Sequence, residues 1–144
     1  STVAVKQGFP NHAIVSSAKG AIEGLTLALA AEFAPNVRVN CIAPSLTNSK
    51  ISNFLLKNEK VAEGIAKMHP MKRIGEGGDS ASVAKFLLTD ESSWITGQIL
   101  GVDGGRSSVA WQFFKKQLKK DYEKFICFNF YFFVKHKFNG CGKW

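Results

Sequence analysis

The sequence predicts an α/β fold in which about two strands of a parallel sheet are flanked by helices. Two observations carry this prediction. A long helical pattern, from Ala13 to about Phe33, leads into a short β-branched segment, residues 37–43. A second apolar segment, residues 97–102, lies further along the chain. A long helix that feeds a short buried strand is typical of half of a parallel β-α-β unit.

The composition is that of one soluble globular domain. The chain has 144 residues, of which 45% are hydrophobic and 21% charged, and collagen-like or fully disordered chains are excluded. We find no run that approaches the roughly 20 apolar residues of a membrane-spanning helix. Three cysteines, an odd number without zinc-type spacing, predict a reducing compartment, a cytoplasmic location and no metal site.

The net charge of +8 is unevenly distributed along the chain. Residues 1–108 carry 11 Lys and Arg against 9 Asp and Glu, whereas residues 109–144 carry 8 Lys against 2 acids and 12 of the 17 aromatics. We therefore predict a folded part, residues 1–108, and a basic aromatic tail, residues 109–144, that is disordered or helical. Nucleic-acid binding and contact with an anionic membrane are open for this tail, but an unselected extension is favoured.

The individual elements are predicted as follows. Residues 1–12 form an irregular loop. The helix that follows carries an apolar stripe at spacings of three and four, and it ends near Ala34 because Pro35 disfavours a helical residue before it. The stripe comprises Ile14, Ala18, Ala21, Ile22, Leu25 and Leu29. This stripe predicts a core face or a subunit interface.

The rest of the folded part alternates in the same way. The first strand stops at Pro44 and is followed by a polar loop, residues 45–50, and a second helix, residues 51–68, which His69-Pro70 terminates. Residues 75–78 predict a flexible glycine turn. A third helix, residues 82–88, has Asp79 or Ser80 as its cap, and the second strand ends at the turn Asp103-Gly104-Gly105.

Three separated motifs together resemble the C-terminal half of the short-chain dehydrogenases/reductases. They are residues 16–21 (SSAKGA), 37–44 (VRVNCIAP) and 96–105 (TGQILGVDGG). The resemblance covers about residues 1–108. It implies a partial Rossmann-like fold, the C-terminal portion of a doubly wound parallel sheet. It also implies NAD or NADP as cofactor and a small alcohol or carbonyl compound as substrate.

The family's Ser/Tyr/Lys active site carries over only in part. Lys19 matches the lysine, Thr2 stands at the serine position and Val15 stands at the tyrosine position. In such a site the lysine cation lowers the pKa of the tyrosine one helical turn away, and valine has no proton to transfer. Pro44, Thr47 and Ser49 match the positions that contact the nicotinamide amide.

Two further features bear on function. No glycine-rich phosphate loop follows a first strand in this sequence, so we expect the chain by itself to be an inactive oxidoreductase. The alternative is a non-catalytic assembly module, in which residues 13–34 and 97–105 pair with a full-length relative or an N-terminal partner chain as a homo- or hetero-oligomer. His12 is considered as a substitute proton donor, but a surface histidine is favoured, and Ser16 and Ser17 are interpreted as helix-start hydroxyls.

Overall fold

A computed structural model describes residues 1–109 of the chain. Its centre is a two-stranded parallel sheet of β1 (Cys41–Pro44) and β2 (Ile99–Val102), with Cys41 opposite Ile99 and Pro44 opposite Val102. Helices lie between the two strands along the chain, as a parallel connection requires. The predicted α/β class is thus present, and the predicted tail, residues 109–144, lies almost entirely outside the described residues.

Both strands begin later than predicted, because before Cys41 side-chain hydrogen bonds interrupt the backbone ladder, of which the bond from the Gly97 amide to the Val39 carbonyl (2.7 Å) remains. The Val39 amide donates to the Thr96 hydroxyl at 3.1 Å, and Asn40 both accepts from the Gln98 amide (3.0 Å) and donates to the Ile95 carbonyl (2.9 Å). Residues 37–40 therefore run beside residues 95–98 without forming a regular strand. Pro44, predicted to stop the first strand, is its last residue.

The first residues of the chain are more regular than predicted. Residues 1–12 were expected to be a loop, but α1 (Ala4–Gln7) forms a short helix within them. Before it, the Ser1 nitrogen donates to the Ile42 carbonyl (2.9 Å) and the Val3 amide to the Pro44 carbonyl (3.1 Å). Residues 1–3 thus run along the edge of β1 that β2 does not use. The residues of the small core lie mainly here: Val3, Ala4, Ala30, Cys41 and Ala43.

The longest element, α2 (Ala13–Phe33), ends as predicted, because Ala34 before Pro35 has an extended backbone. It packs through residues near its buried Thr26 and Ala30. Thr26 can be buried because its hydroxyl donates to the Ile22 carbonyl of its own helix, at 2.8 Å. The apolar stripe, predicted as a core face or a subunit interface, is not a core face within the described residues, since Ile14 and Leu25 are 86% and 51% exposed; the subunit interface stays a prediction.

By length and composition alone, α2 could cross a membrane. An 18-residue window within it has a mean hydropathy of 1.3, and 11% of that window is buried. The sequence-based expectation that no segment reaches this length is therefore wrong. Core helices of soluble proteins have the same length and composition, so the observation describes the helix and assigns no membrane.

The second predicted helix is divided into two. The structure has α3 (Asn53–Leu56) and α4 (Glu59–Lys67) instead of one helix over residues 51–68. Asn58 causes the break: its backbone is extended, and its side-chain oxygen accepts from the amides of Lys60 and Val61 at 3.1 and 3.3 Å. An asparagine that caps a new helix in this way cannot also continue the preceding one.

The third predicted helix begins five residues earlier than expected. α5 (Gly77–Leu87) includes two glycines that were assigned to a flexible turn, and Glu76 precedes it with an extended backbone. Asp79 is the third helical residue, not the cap, and its carboxylate accepts from the Glu76 amide at 2.7 Å. A short 3-10 turn (Asp90–Ser92) then leads towards β2.

Candidate functional site

Thr2 lies at the carboxyl end of β1. Its hydroxyl donates to the Pro44 carbonyl at 3.4 Å and accepts from the Ala4 amide at the same distance. The neighbouring Val3 amide donates to that same Pro44 carbonyl, at 3.1 Å. The structure therefore brings together Thr2 and Pro44, which lie far apart in the sequence.

The N-terminal turns of α2 lie beside this strand end. The Ser16 hydroxyl donates to the Ala4 carbonyl at 3.1 Å, and the Ser1 hydroxyl contacts the Lys19 carbonyl at 3.5 Å. Val15 and Lys19, one turn apart, are both exposed, and no acceptor within residues 1–109 binds the Lys19 ammonium. Residues 15–19 thus approach the Thr2 segment with an available lysine and an apolar valine where a proton donor would stand.

Thr47 and Ser49 use their hydroxyls within their own loop. The Thr47 hydroxyl donates to the Ser45 carbonyl at 3.0 Å, and the Ser49 hydroxyl lies 3.2 Å from that of Ser52. Ser52 is buried and organises the turn, because its hydroxyl donates to the Thr47 carbonyl (2.6 Å) and accepts from the Ser49 amide (2.9 Å). Sequence reasoning missed Ser52, since its spacing matches no motif.

Gly75 fits closely against this loop. Its amide donates to the Leu46 carbonyl at 3.1 Å, and the Asn48 amide donates to the Gly75 carbonyl at 2.8 Å. A Cβ atom at residue 75 would lie 3.0 Å from the Thr47 hydroxyl oxygen and 3.3 Å from the Leu46 carbonyl. Glycine thus allows a close backbone approach here, besides the flexibility that the sequence indicated.

A cavity of about 420 Å³ opens next to the carboxyl ends of both strands. Its walls include polar side chains and the apolar side chains of Leu46, Met71, Val83 and Val102. Arg73 and Asp79 also line it and form a bidentate ion pair with two distances of 2.7 Å. Together with the Glu76 amide, this ion pair lowers the pKa of Asp79 to about 2.

His69 is the most deeply placed polar group of the cavity, 2% exposed. Its Nδ1 lies 2.9 Å from the Ile65 carbonyl, which can only accept, so Nδ1 carries the proton. Its Nε2 lies 2.9 Å from the Ser45 hydroxyl, which donates to it when the imidazole is neutral. The sequence identified His69 only as the end of a helix, and no spacing signal linked it to Ser45.

Asp103 is buried beside this pair. Its carboxylate accepts from the amides of Gly105 and Ser107, both at 2.9 Å, and from the Ser107 hydroxyl. Burial opposes ionisation, but these hydrogen bonds outweigh it and hold the pKa of Asp103 below its ordinary value. The predicted turn at residues 103–105 is thus an ordered loop built around a carboxylate.

His12 lies on the surface, as the favoured interpretation predicted. It precedes α2, its Nδ1 lies 2.8 Å from the Pro10 carbonyl, and its ring meets that of Phe9 edge-on at 5.5 Å. Arg106 stacks on Phe9, with its guanidinium carbon 4.7 Å from the centre of the Phe9 ring. Within residues 1–109, no three His, Cys, Asp or Glu side chains come together as a metal site.

Comparison with known proteins identifies the family. The sequence pattern of the family described as enoyl-(acyl carrier protein) reductase matches residues 1–107. A short-chain dehydrogenase/reductase from Arabidopsis thaliana is 46% identical over 90 residues, which are 62% of this chain and 35% of that protein. The 2,3-dihydroxy-2,3-dihydro-p-cumate dehydrogenase of Pseudomonas putida is 38% identical over 107 residues, 73% of this chain and 41% of that protein.

Solved structures agree with this result. A short-chain type dehydrogenase/reductase from Mycobacterium ulcerans superposes with a TM-score of 0.70 at 31% identity, over 74% of this chain and 39% of that one. A gluconate 5-dehydrogenase from Burkholderia cenocepacia, solved with NADP and tartrate, gives 0.70 at 28% identity, over 75% and 43%. The chain belongs to the short-chain dehydrogenase/reductase family, and its fold is the predicted partial Rossmann-like one. It spans 35–41% of the curated relatives named above.

Proposed function

We propose that this chain forms the C-terminal, substrate-side portion of an NAD- or NADP-dependent oxidoreductase that interconverts a small alcohol and a carbonyl compound in the cytoplasm. The observation that carries the proposal is that residues 1–4 connect two segments: Thr2 bonds to Pro44 at the carboxyl end of β1, while Ser1 and Ala4 contact the Lys19 and Ser16 turns of α2. Ligands of open α/β sheets bind at the carboxyl ends of the strands. One structural neighbour was solved with NADP, which supports this class of cofactor.

The residues present fit part of such a cofactor site. Lys19 has a free ammonium for a ribose hydroxyl, and Thr2 has a hydroxyl beside the strand end. Thr47 and Ser49 would need to give up hydrogen bonds within their loop to hold a carboxamide. When bound, the nicotinamide group supplies or accepts the hydride. The residues of this chain would orient the substrate oxygen, but Val15 has no proton to transfer to that oxygen.

The first test is cofactor binding by the 144-residue chain. We expect no saturable binding of NADH or NADPH at micromolar concentrations, because this sequence has no glycine-rich phosphate loop. The measurement is a fluorescence titration of each cofactor, with a full-length family member as the positive control. A clean micromolar dissociation constant would contradict the expected dependence on an upstream half.

The second test restores the missing phenol. Val15→Tyr places a tyrosine one turn from Lys19, yet we expect no turnover in this chain, because the phosphate-binding surface remains absent. The assay follows NADPH oxidation with a panel of small ketones, and Val15→Phe serves as a matched control without the hydroxyl. Turnover in the tyrosine variant alone would overturn the proposed inactivity and would assign the defect to Val15.

A specific observation also supports the second candidate function, an assembly module. The apolar stripe of α2 is uncovered by the rest of residues 1–109, although such surfaces are normally buried in soluble proteins. A full-length relative or an N-terminal partner chain could cover it, as could a second copy of this chain. Purification of the tagged chain from its source, followed by mass spectrometry, distinguishes a stoichiometric family partner from none.

A further inference from the structure

We propose that Ser45 and His69 form a second reactive centre, in which Ser45 is a nucleophile for small acyl esters. The two residues share the cavity next to the carboxyl ends of β1 and β2. This centre needs no nicotinamide cofactor and does not use Thr2, Lys19 or Pro44. It is therefore independent of the proposed oxidoreductase function and can be tested in the chain as it exists.

The first argument is the hydrogen-bond geometry. The Ser45 hydroxyl lies 2.9 Å from Nε2 of His69, and Nδ1 of His69 donates to the Ile65 carbonyl at 2.9 Å, so the neutral imidazole accepts the hydroxyl hydrogen at Nε2. Nucleophilic serines are activated in this manner, by a base that a third group orients. The carbonyl fixes the tautomer whose Nε2 lone pair faces the serine, which is the one that can accept its proton.

The second argument is the position of Ser45 in the chain. It directly follows the last residue of β1, and the next amide, that of Leu46, donates to no acceptor within residues 1–109. In hydrolases with a nucleophile at a strand end, the amide after the nucleophile stabilises the oxyanion. The Gly104 amide, which also lines the cavity, is likewise without an acceptor in the described part of the chain.

The third argument is the shape and lining of the cavity. A volume of about 420 Å³ accepts a small ester, and Met71, Val83 and Val102 give an apolar wall for a short acyl group. The carboxylate of Asp103 is committed to Gly105 and Ser107 and so is not a competing acceptor for the Ser45 proton.

The reaction balances without a co-reactant other than water. Ser45 Oγ forms a bond to the ester carbonyl carbon while its proton passes to His69 Nε2. The bond to the leaving alkoxide then breaks, and the alkoxide takes that proton. Water attacks the acyl-serine with His69 again accepting the proton, which releases a carboxylic acid and restores Ser45. The net change is ester plus water to alcohol plus acid.

The experiment uses the 144-residue chain and a small alkyl fluorophosphonate. We expect a covalent adduct on the peptide that contains Ser45, together with hydrolysis of p-nitrophenyl acetate. Ser45→Ala should abolish the adduct on this peptide, and His69→Gln should slow its formation about 100-fold or more, as loss of a general base does. Ser108→Ala is the matched control, because Ser108 lines the same cavity without a bonded hydroxyl, and it should react like the unmodified chain.

Circular dichroism establishes that each variant is folded. If His69→Gln does not fold, the unmodified chain is labelled in buffer and in urea, and the Ser45 adduct should be lost in urea, where the pair is broken. Absence of the adduct from the folded unmodified chain would overturn the proposal. So would an adduct confined to another residue, or Ser45 labelling that continues at an undiminished rate in folded His69→Gln or in urea.

Discussion

At the residue scale, three buried polar side chains hold the loops around the strand ends together: Ser52, His69 and Asp103. Ser52 and His69 bond to backbone carbonyls, and Asp103 bonds to backbone amides. No side-chain nitrogen or oxygen buried within residues 1–109 lacks a partner. Because an unpaired buried polar group costs about 1–3 kcal/mol, these loops keep one conformation only while the partners remain.

Asp103 gives a prediction about stability and pH. Its pKa is lower in the folded chain than in the unfolded one, so ionised Asp103 stabilises the fold above its unfolded pKa of about 3.9. This contribution is lost as the pH falls through the folded pKa. We expect Asp103→Asn to reduce the free energy of unfolding by about 1–2 kcal/mol at pH 7, and the difference from the unmodified chain to shrink below about pH 4.

Urea unfolding at a series of pH values measures this difference. Asp90→Asn is the matched control, because Asp90 is exposed and no hydrogen bond to its side chain occurs within residues 1–109. A loss for Asp103→Asn that is equal at pH 7 and pH 3 would contradict the assigned role of the carboxylate charge.

At the element scale, one arginine adds further bonds between the segment before β1 and the rest of the chain. The Arg38 guanidinium donates to the carbonyls of Leu87 (2.8 Å), Thr89 (3.3 Å) and Ile95 (3.3 Å). Arg38 thereby connects the segment before β1 both to the end of α5 and to the segment before β2. The Thr89 carbonyl also accepts from the Ser92 amide and hydroxyl, and the Ile95 carbonyl also accepts from Asn40, so the Leu87 carbonyl depends most on Arg38.

We expect Arg38→Ala to lower the free energy of unfolding by about 1–3 kcal/mol, because bonds from a charged donor are lost and the Leu87 carbonyl loses its donor. Arg38→Lys should recover only part of this loss, since an ammonium lacks the planar fork of donors. Chemical denaturation followed by circular dichroism measures both. Lys85→Ala, at an exposed position of α5, is the control, and an equal effect of the two alanine variants would refute the role of Arg38.

At the scale of the whole molecule, the apolar stripe of α2 is exposed within residues 1–109, although its sequence predicts a core face or a subunit interface. Ile14, Ile22 and Leu25 lie on one side of α2, and each is at least 44% exposed. Thr26, one turn after Ile22, and Ala30 are the buried residues of this helix. Since the chain spans only 35% and 41% of the two curated relatives named above, a partner surface for this stripe is expected from outside residues 1–109.

We therefore expect the 144-residue chain to self-associate at micromolar concentrations unless a partner is present. The double variant Ile22→Gln and Leu25→Gln should shift it towards the monomer, because it removes exposed apolar surface. Sedimentation velocity over a range of concentrations measures the effect. Trp94→Gln is the control, since Trp94 is 97% exposed elsewhere; an equal shift in the control, or a monomeric unmodified chain, would contradict the prediction.

By itself the sequence determined the α/β class, the family, the order of the two strands and the end of α2, because these depend on local signals. Apolar spacing, the backbone restriction imposed by Pro35 and contiguous motifs all act over a few residues. The sequence also identified Lys19, Val15 and Thr2 as the family positions. Their roles, like those of Pro44, Thr47 and Ser49, remain predictions.

Only the tertiary structure decided which residues meet at the strand ends. Ser45 and His69 are 24 positions apart, and Arg38 reaches residues 49 to 57 positions further along the chain. Such contacts depend on how the helices pack back against the sheet, and the spacing of residues in the sequence does not predict this packing. The same holds for the break at Asn58, where a side chain competes with helical hydrogen bonds, and for the outward direction of the α2 stripe, which follows from what packs on its other side.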